Sequence, residues 1–274
     1  MIMIDNGKVS LTFNGKASKP DEALKISEDS KTRCYKGQKN ALGLMPGPNE
    51  CGGTCPWATT GPGGCWNIPE GKKLHTCYVA HCLARRQNVK TALEYNTTLM
   101  RGGCNNGVHP TTYLLNSFAA FQKKELKRKD SQLYFRLHWS GDIFGPDYAH
   151  SLVEAMGQYP QINFWMYTRS FPYVHLFESV KNLSLYLSLD KQNFLDGLKT
   201  YSQFKWPNLK ICYLSPVDDW NEQFQKVKDS MGLDDIRVTS CPVDTGKMAL
   251  EESCIKCRMC LLNAHKIHIW FKTK

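Results

Sequence analysis

Residues 133–142 read LYFRLHWSGD and alternate without a break. Leu133, Phe135, Leu137 and Trp139 share one parity, and Tyr134, Arg136, His138, Ser140 and Asp142 share the other. Successive side chains of a strand point to opposite faces, so this is a β-strand with one apolar and one polar face. Pro146 then opens a segment with Ala149, Leu152, Val153 and Met156 at the spacing of an amphipathic helix. The pattern repeats. Ile162–Thr168, Leu183–Leu189, Leu209–Leu214 and Ile236–Thr239 are strand-like, separated by helix-like stretches at 172–181, 191–203 and 217–231. Upstream, helical stretches at Cys77–Met100 and Thr111–Leu126 follow a candidate strand at Ala41–Met45. Strands alternating with helices imply crossover connections and a parallel sheet. The expected fold is α/β: a partial (β/α)6 TIM-like barrel with parallel strands, a cysteine-rich loop after the first strand and a C-terminal cysteine-cluster extension. An open doubly wound sheet is the alternative. The expected division is an N-terminal extension at 1–38, the barrel at 39–240, and a cluster segment with a basic tail at 241–274.

Parity also predicts a polar interior. Asn163, Trp165, Tyr167 and Arg169 share one face, four leucines oppose Ser184, Tyr186, Ser188 and Asp190, and Arg237, Thr239 and Cys241 oppose Ile236 and Val238. If the leucine faces meet the helices, the polar residues line the lumen, where a TIM barrel carries packed aliphatic side chains. Arg136, Arg169 and Arg237 there need anionic partners, which points to a ligand with a carboxylate or phosphate. In the alternative, an open sheet, Asp142 and Asp190 satisfy them. Arg136 and His138 are candidates to position a substrate, and Tyr134, Tyr167 and Tyr186 to stack on one or donate hydrogen atoms.

The chain has 274 residues, of which 12 are cysteine, and 35 Lys and Arg outnumber 25 Asp and Glu for a formal charge of +10. That balance favours acidic partners such as nucleotides or nucleic acid. No run of about eighteen apolar residues marks a membrane span, and the N-terminus lacks the apolar core of a signal peptide. The expected location is cytoplasmic, where clustered cysteines point to metal chemistry rather than disulfides.

Cys254-Ile-Lys-Cys257-Arg-Met-Cys260 is a C-x2-C-x2-C run, with Cys241-Pro242 upstream. Thiolates at this spacing can hold three corners of a cubane, with a distant Cys-Pro supplying the fourth; a four-cysteine zinc site is the alternative. A looser group, Cys51, Cys55, Cys65, Cys77 and Cys82, lies in a Gly- and Pro-rich loop after the first strand. Three ligands from it would leave an iron open, whereas four would close the site. His75 and His81 stand beside it as minority ligand candidates, and Cys34, Cys104 and Cys212 read as incidental thiols. Lys123 to Lys129 and the tail Lys266–Lys274, with Trp270 and Phe271, could track phosphates and stack on bases; a solvated helix face and a frayed end are the alternatives.

The first-loop cysteines and the polar Ser140-Gly141-Asp142 after the second unit resemble the radical S-adenosylmethionine (SAM) superfamily. Cys55-Pro56, Cys65, Cys77-Tyr78, Tyr167-Thr168-Arg169-Ser170 and Cys241-Pro-Val-Asp244, together with the Arg136–Asp142 stretch and the C-terminal triplet, look like the bacteriophage gene product 88 family. The superfamily resemblance implies a 4Fe-4S cluster on Cys55, Cys65 and Cys77, with Cys51 and Cys82 as alternates. It further implies SAM contacted by Ser140, Gly141 and Asp142 at its amino group and by Ser188 or Asp190 at its ribose, and a second 4Fe-4S cluster on Cys241, Cys254, Cys257 and Cys260. Arg136, His138, Tyr167 and Arg169 become the expected catalytic residues. The expected partners are an anionic small-molecule or nucleic-acid substrate, such as a base of phage DNA, and an electron donor such as flavodoxin. One departure stands out: the superfamily loop is usually C-x3-C-x2-C, whereas nine residues separate Cys55 from Cys65 here.

Overall fold

The structure is a computed structural model that describes residues 23–60, 65–67, 77–83, 86–102, 108–190, 192–204, 206–215, 229, 238–261 and 267–272, with the backbone of 2–5, 8–13 and 16–17. Strands β1 (Ile2–Asp5), β2 (Lys8–Phe13) and β3 (Lys16–Ala17) form a small antiparallel sheet. The main sheet has eight strands: β4 (Ser27–Glu28), β5 (Lys39–Ala41), β6 (Tyr134–Leu137), β7 (Asn163–Thr168), β8 (Leu183–Leu189), β9 (Leu209–Ser215), β10 (Val238–Ser240) and β11 (His268–Lys272). Their spatial order is β10-β11-β9-β8-β7-β6-β5-β4, and every pairing but the β4–β5 edge is parallel.

From β5 to β9 the strands advance in one direction without reversal. Right-handed crossovers that all step the same way keep their helices on one face. Helices α1 (Tyr78–Leu83), α2 (Gln87–Arg101), α3 (Pro110–Glu125), α4 (Pro146–Gly157) and α5 (Phe194–Phe204), with the 3-10 helix Phe171–Phe177, make these connections. Proline at the first position starts α3 and α4, where its missing N–H costs nothing. Phe118 and Phe121 of α3, and Ala149, Leu152 and Met156 of α4, join Phe135, Leu137, Phe164, Met166 and the leucines of β8 in one core. Phe118 lies edge-on to Phe135, with ring centroids 5.2 Å apart, a favoured aromatic geometry. Burial of each such side chain contributes about 1.5–3 kcal/mol.

Three expectations change. The sheet is open: its edge strands β4 and β10 do not pair with each other, so the described residues form no closed barrel. The expected first strand at Ala41–Met45 is Lys39–Ala41, and beyond it the chain still bonds its neighbour irregularly, through Leu42 N to Arg136 O, Trp139 N to Leu42 O and Leu44 N to Ser140 O. The ladder breaks there because His138 takes a left-handed backbone conformation, φ 54°. Third, residues 268–272 are no frayed tail. They form β11 between β9 and β10, with Trp270 only 8% exposed in the main core, so its ring is not available to stack on bases.

β11 also reverses the direction of advance, since the chain leaves the edge strand β10 and returns one position inward. The same handedness rule then sends the connection across the other face. The segment 241–261 does lie there, packing Cys254, Ile255 and Leu261 against Tyr134, Trp165 and Tyr167. The expected strand start at Ile236 and Arg237 and nearly all of the helix-like stretch 217–231 lie outside the described residues.

Candidate functional site

The loop after β5 folds back on itself. Gly47, at φ 100°, turns the chain, and Gly47 O accepts from Cys55 N at 2.9 Å while Met45 O accepts from Thr54 N and Thr54 Oγ1. Gly53 has no room for a side chain, since a Cβ would collide with the Gly47 carbonyl. Cys77 N donates to Cys65 O at 2.8 Å, which joins the two distal cysteines. Burial pushes the Cys55 thiol pKa up, and the nearby charges of Asp142, Cys65 and Cys77 add to the shift. Burial raises Cys65 as well; Arg169 opposes that shift, and Cys77 and Asp190 add to it. Cys55, Cys65, Cys77, Asp142, Arg169 and Asp190 therefore share one neighbourhood, at the carboxyl ends of β6, β7 and β8, where ligands of parallel sheets bind. Cys51 is exposed on a 3-10 helix, Asn49–Cys51. The side chains of Cys82 and His81, and all of His75 and Cys104, lie outside the described residues.

Ser140, Gly141 and Asp142 are engaged with the chain itself. Ser140 Oγ donates to Leu44 O at 2.8 Å. Gly141 has φ 77°, and a Cβ there would meet Thr54 and Leu44. Asp142 N donates to Thr54 Oγ1 at 3.2 Å, and its carboxylate accepts from Ile143 N, Thr168 Oγ1 and Arg169 N at 2.8, 2.6 and 2.8 Å. Burial raises the Asp142 pKa, against these hydrogen bonds. The motif locks the Cys55 loop onto β6 and β7.

His138 leaves the polar parity. Its left-handed backbone turns the ring toward α4, where Nε2 meets Tyr148 Oη at 2.8 Å, and burial lowers its pKa to about 3. The arginines find protein partners: Arg136 pairs with Asp29 at 2.9 Å and lies over Trp165 and Tyr167, and Arg169 pairs with Asp190. An empty arginine-lined lumen is thus not what the polar face presents, because the C-terminal segment covers it. Arg237 lies outside the described residues.

On that face, Cys241, Cys254, Cys257 and Cys260 line a single small recess of about 20 Å³. Left-handed residues Glu252 (φ 55°) and Arg258 (φ 61°) bracket the short helix Ser253–Cys257, and Ser30 O and Lys31 O accept from Glu252 N and Cys254 N, pinning the segment to the strand region of β4. Burial raises Cys254 to about 12 and Cys260 to about 11, with the neighbouring Tyr167 hydroxyl opposing the shift at Cys260. Tyr186 Oη donates to Ile267 O and Met259 O, at 3.2 and 3.4 Å, and so ties down the backbone at both positions. Lys210 and Cys212, two residues apart on the polar parity of β9, lie beneath: burial lowers Lys210 to about 8 while the Cys260 charge raises it, and Ser188 hydrogen-bonds the Cys212 thiol. Sequence reading passes over Lys210 and takes Cys212 as an incidental thiol, although the alternation in LKICYL at 209–214 already places them opposite Leu209, Ile211 and Tyr213.

Among the described residues, no three His, Cys, Asp or Glu are drawn together tightly enough for a single metal ion. A cubane sets its thiolates on separate iron corners and so asks for a wider ring. Burial raises the thiols of Cys55, Cys65, Cys254 and Cys260, and a nearby multivalent cation would favour their thiolates. Both groups fit such a centre by their donor set.

A family model described as Gene product 88 matches residues 10–263, which takes in both cysteine groups. The chain belongs to the gene product 88 family. The Gene 88 protein of Mycobacterium phage D29 is 30% identical over 193 residues, 64% of this chain and 73% of that protein. The Gene 88 protein of Mycobacterium phage L5 is 31% identical over 160 residues, 57% of this chain and 59% of its own length. No solved structure matches. Bacteriophage kinship is therefore established for this gene product 88 member, and no described helix is long and apolar enough to cross a membrane.

Proposed function

We propose that the protein is an iron-sulfur enzyme of the radical SAM type, built on an open half-barrel variant of that fold. The observation that carries this reading is the meeting of Cys55, Cys65 and Cys77 beside Arg169 and Asp190 at the carboxyl ends of the parallel strands. Three thiolates on a four-iron centre leave one iron without a protein ligand. When bound, that centre supplies one electron to the sulfonium of SAM, releasing methionine and a 5'-deoxyadenosyl radical.

The chain's own residues hold and orient. Asp142 and Gly141 fix the loop that carries Cys55, acting as positioning residues. Arg169 is about a fifth exposed, and only part of its guanidinium is taken by Asp190, so it keeps donors for a carboxylate or phosphate. Asp190 and Ser188 stand one strand away for a ribose. Cys241, Cys254, Cys257 and Cys260 would hold a second cluster. The substrate in this reading is anionic, a nucleotide or a base of phage DNA, and the electron comes from a reduced donor such as flavodoxin.

The experiment is anaerobic purification with iron and sulfide analysis, then dithionite reduction with SAM. Methionine and 5'-deoxyadenosine are the expected products, and Cys65→Ala abolishes them while iron remains on the C-terminal four. Iron and sulfide without binding or cleavage of SAM would sink the enzyme reading. A second reading, a non-catalytic iron-sulfur or zinc protein that binds nucleic acid or a host protein, draws on the four cysteines lining one recess, whose four thiolates would leave a centre there no open position. Zinc without sulfide would favour it.

A further inference from the structure

The run Lys123-Lys124-Glu125-Leu126-Lys127-Arg128-Lys129-Asp130 closes α3 and leads toward β6. Both of its acids are occupied. Glu125 turns inward and is 1% exposed, accepting from Tyr35 Oη at 2.8 Å, from Gln38 Nε2 at 3.0 Å and from Ser131 Oγ. Asp130 pairs with Arg128, whose guanidinium also lies 3.8 Å from the centre of the Tyr35 ring. Lys123, Lys124, Lys127 and Lys129 are all exposed, and none has an ion-pair partner among the described residues. The stretch therefore shows solvent its lysines while its helical acid faces the protein.

Cations at a helix C-terminus are favoured by the macrodipole, but only within the last turn. That accounts for Lys123 and Lys124. Lys127 and Lys129 lie beyond Glu125, the last residue of α3, and like charges this close repel each other within a Debye length. An external anion would relieve that repulsion. The surroundings narrow its kind. Leu126, 67% exposed, is the one large apolar side chain exposed on the run, and the Tyr35 ring is already covered by Arg128 and, at 5.8 Å, by Lys124. A protein partner calls for an apolar, desolvated centre, and a bilayer for an apolar anchor beside the basic residues. A densely charged, well hydrated phosphate backbone calls for neither. The run also precedes β6, at the amino end of the parallel strands, whereas Cys55, Cys65 and Cys77 gather at their carboxyl ends.

We propose that Lys123, Lys124, Lys127 and Lys129 form a docking surface for the phosphate backbone of nucleic acid, at the opposite end of the sheet from the first thiol group. It offers charge and no ring or amide to a base, so it binds without regard to sequence. The surface rests on neither reading of what the cysteines hold.

The test is fluorescence anisotropy of the full chain with a short labelled DNA duplex of random sequence, across a salt series. Lys123→Gln/Lys127→Gln is expected to bind about 10-fold or more weakly at roughly 0.1 M salt and to flatten the slope of log affinity against log salt by about 2, near 0.9 for each lost phosphate contact. Lys123→Arg/Lys127→Arg, which keeps the charge, binds as the parent does. So does Lys181→Gln/Lys199→Gln, which removes the same charge from exposed positions elsewhere. Equal losses in the two glutamine pairs overturn the proposal, since net charge alone then drives binding. A parent that does not bind the duplex overturns it as well, including one that binds phosphatidylserine vesicles or an acidic polypeptide instead. Urea midpoints check that each variant folds. Should Lys123→Gln/Lys127→Gln fail that check, Lys124→Gln/Lys129→Gln takes its place with the same expectation.

Discussion

His138 shows how one backbone angle changes what a side chain can do. Its parity points to the polar face, yet at φ 54° the ring goes into the helix-side core against Tyr148. Its pKa falls from 6.5 to about 3 because burial disfavours the cation. Between those values the unfolded chain takes up a proton that the folded chain refuses, so stability is lost as pH falls below about 6.5. The loss runs up to about 1.4 kcal/mol per pH unit, and the contribution vanishes above that pH. His138→Asn, which tolerates the left-handed region, is expected to flatten this slope in urea unfolding between pH 7 and pH 5. Parallel curves for the two proteins would count against a buried neutral imidazole. Alternation could not foretell the turn, because a left-handed residue just past a strand end is set by tertiary packing. The same limit hid Asp142, whose carboxylate reads as an open ligand in sequence and is filled by Ile143, Thr168 and Arg169 in space.

At the scale of elements, the alternation in β6, β7 and β8 gave the right faces: Phe135, Phe164 and Leu185 join the helix-side core, and Tyr134, Trp165 and Tyr186 the opposite one. β11 was not legible, because five residues beside lysines carry no local mark of a central strand and their partners in β9 and β10 lie far along the chain. Its hydrogen-bonded position between them makes a sharp expectation. Ile269→Pro, at a buried site in this interior strand, removes a ladder donor that only edge strands can spare. It is expected to cost about 3 kcal/mol or more, the scale of proline inside a regular element, measured by chemical denaturation. A change within about 0.5 kcal/mol, as at an ordinary surface site, would mean that the strand is peripheral.

Across the whole molecule, the sheet has two unlike sides: helices and aliphatic side chains on one, a cysteine-bearing cover on the other. The two thiol groups were readable as groups, since spacing and the Gly- and Pro-rich loop mark them. Which members converge was not readable, because that depends on where β6 to β9 place Asp142, Arg169 and Lys210. If metal ties down the cover, its removal by chelation is expected to raise hydrogen exchange in 241–261, β10 and β11, while β6 to β8 keep their protection. Uniform loss across the sheet would show instead that the cover and the helix side melt as one unit.

The inward return of β11 also orders events in time. A ribosome delivers β10 before β11, yet among the described residues β10 pairs only with β11 in the finished sheet. Until β11 arrives, the β9 edge that pairs with it is bare. The growing chain therefore passes through a stage in which the thiols of 241–260 are made but not yet clamped. If these cysteines hold metal, loading before closure, rather than threading metal into a finished core, is the route that this topology leaves open.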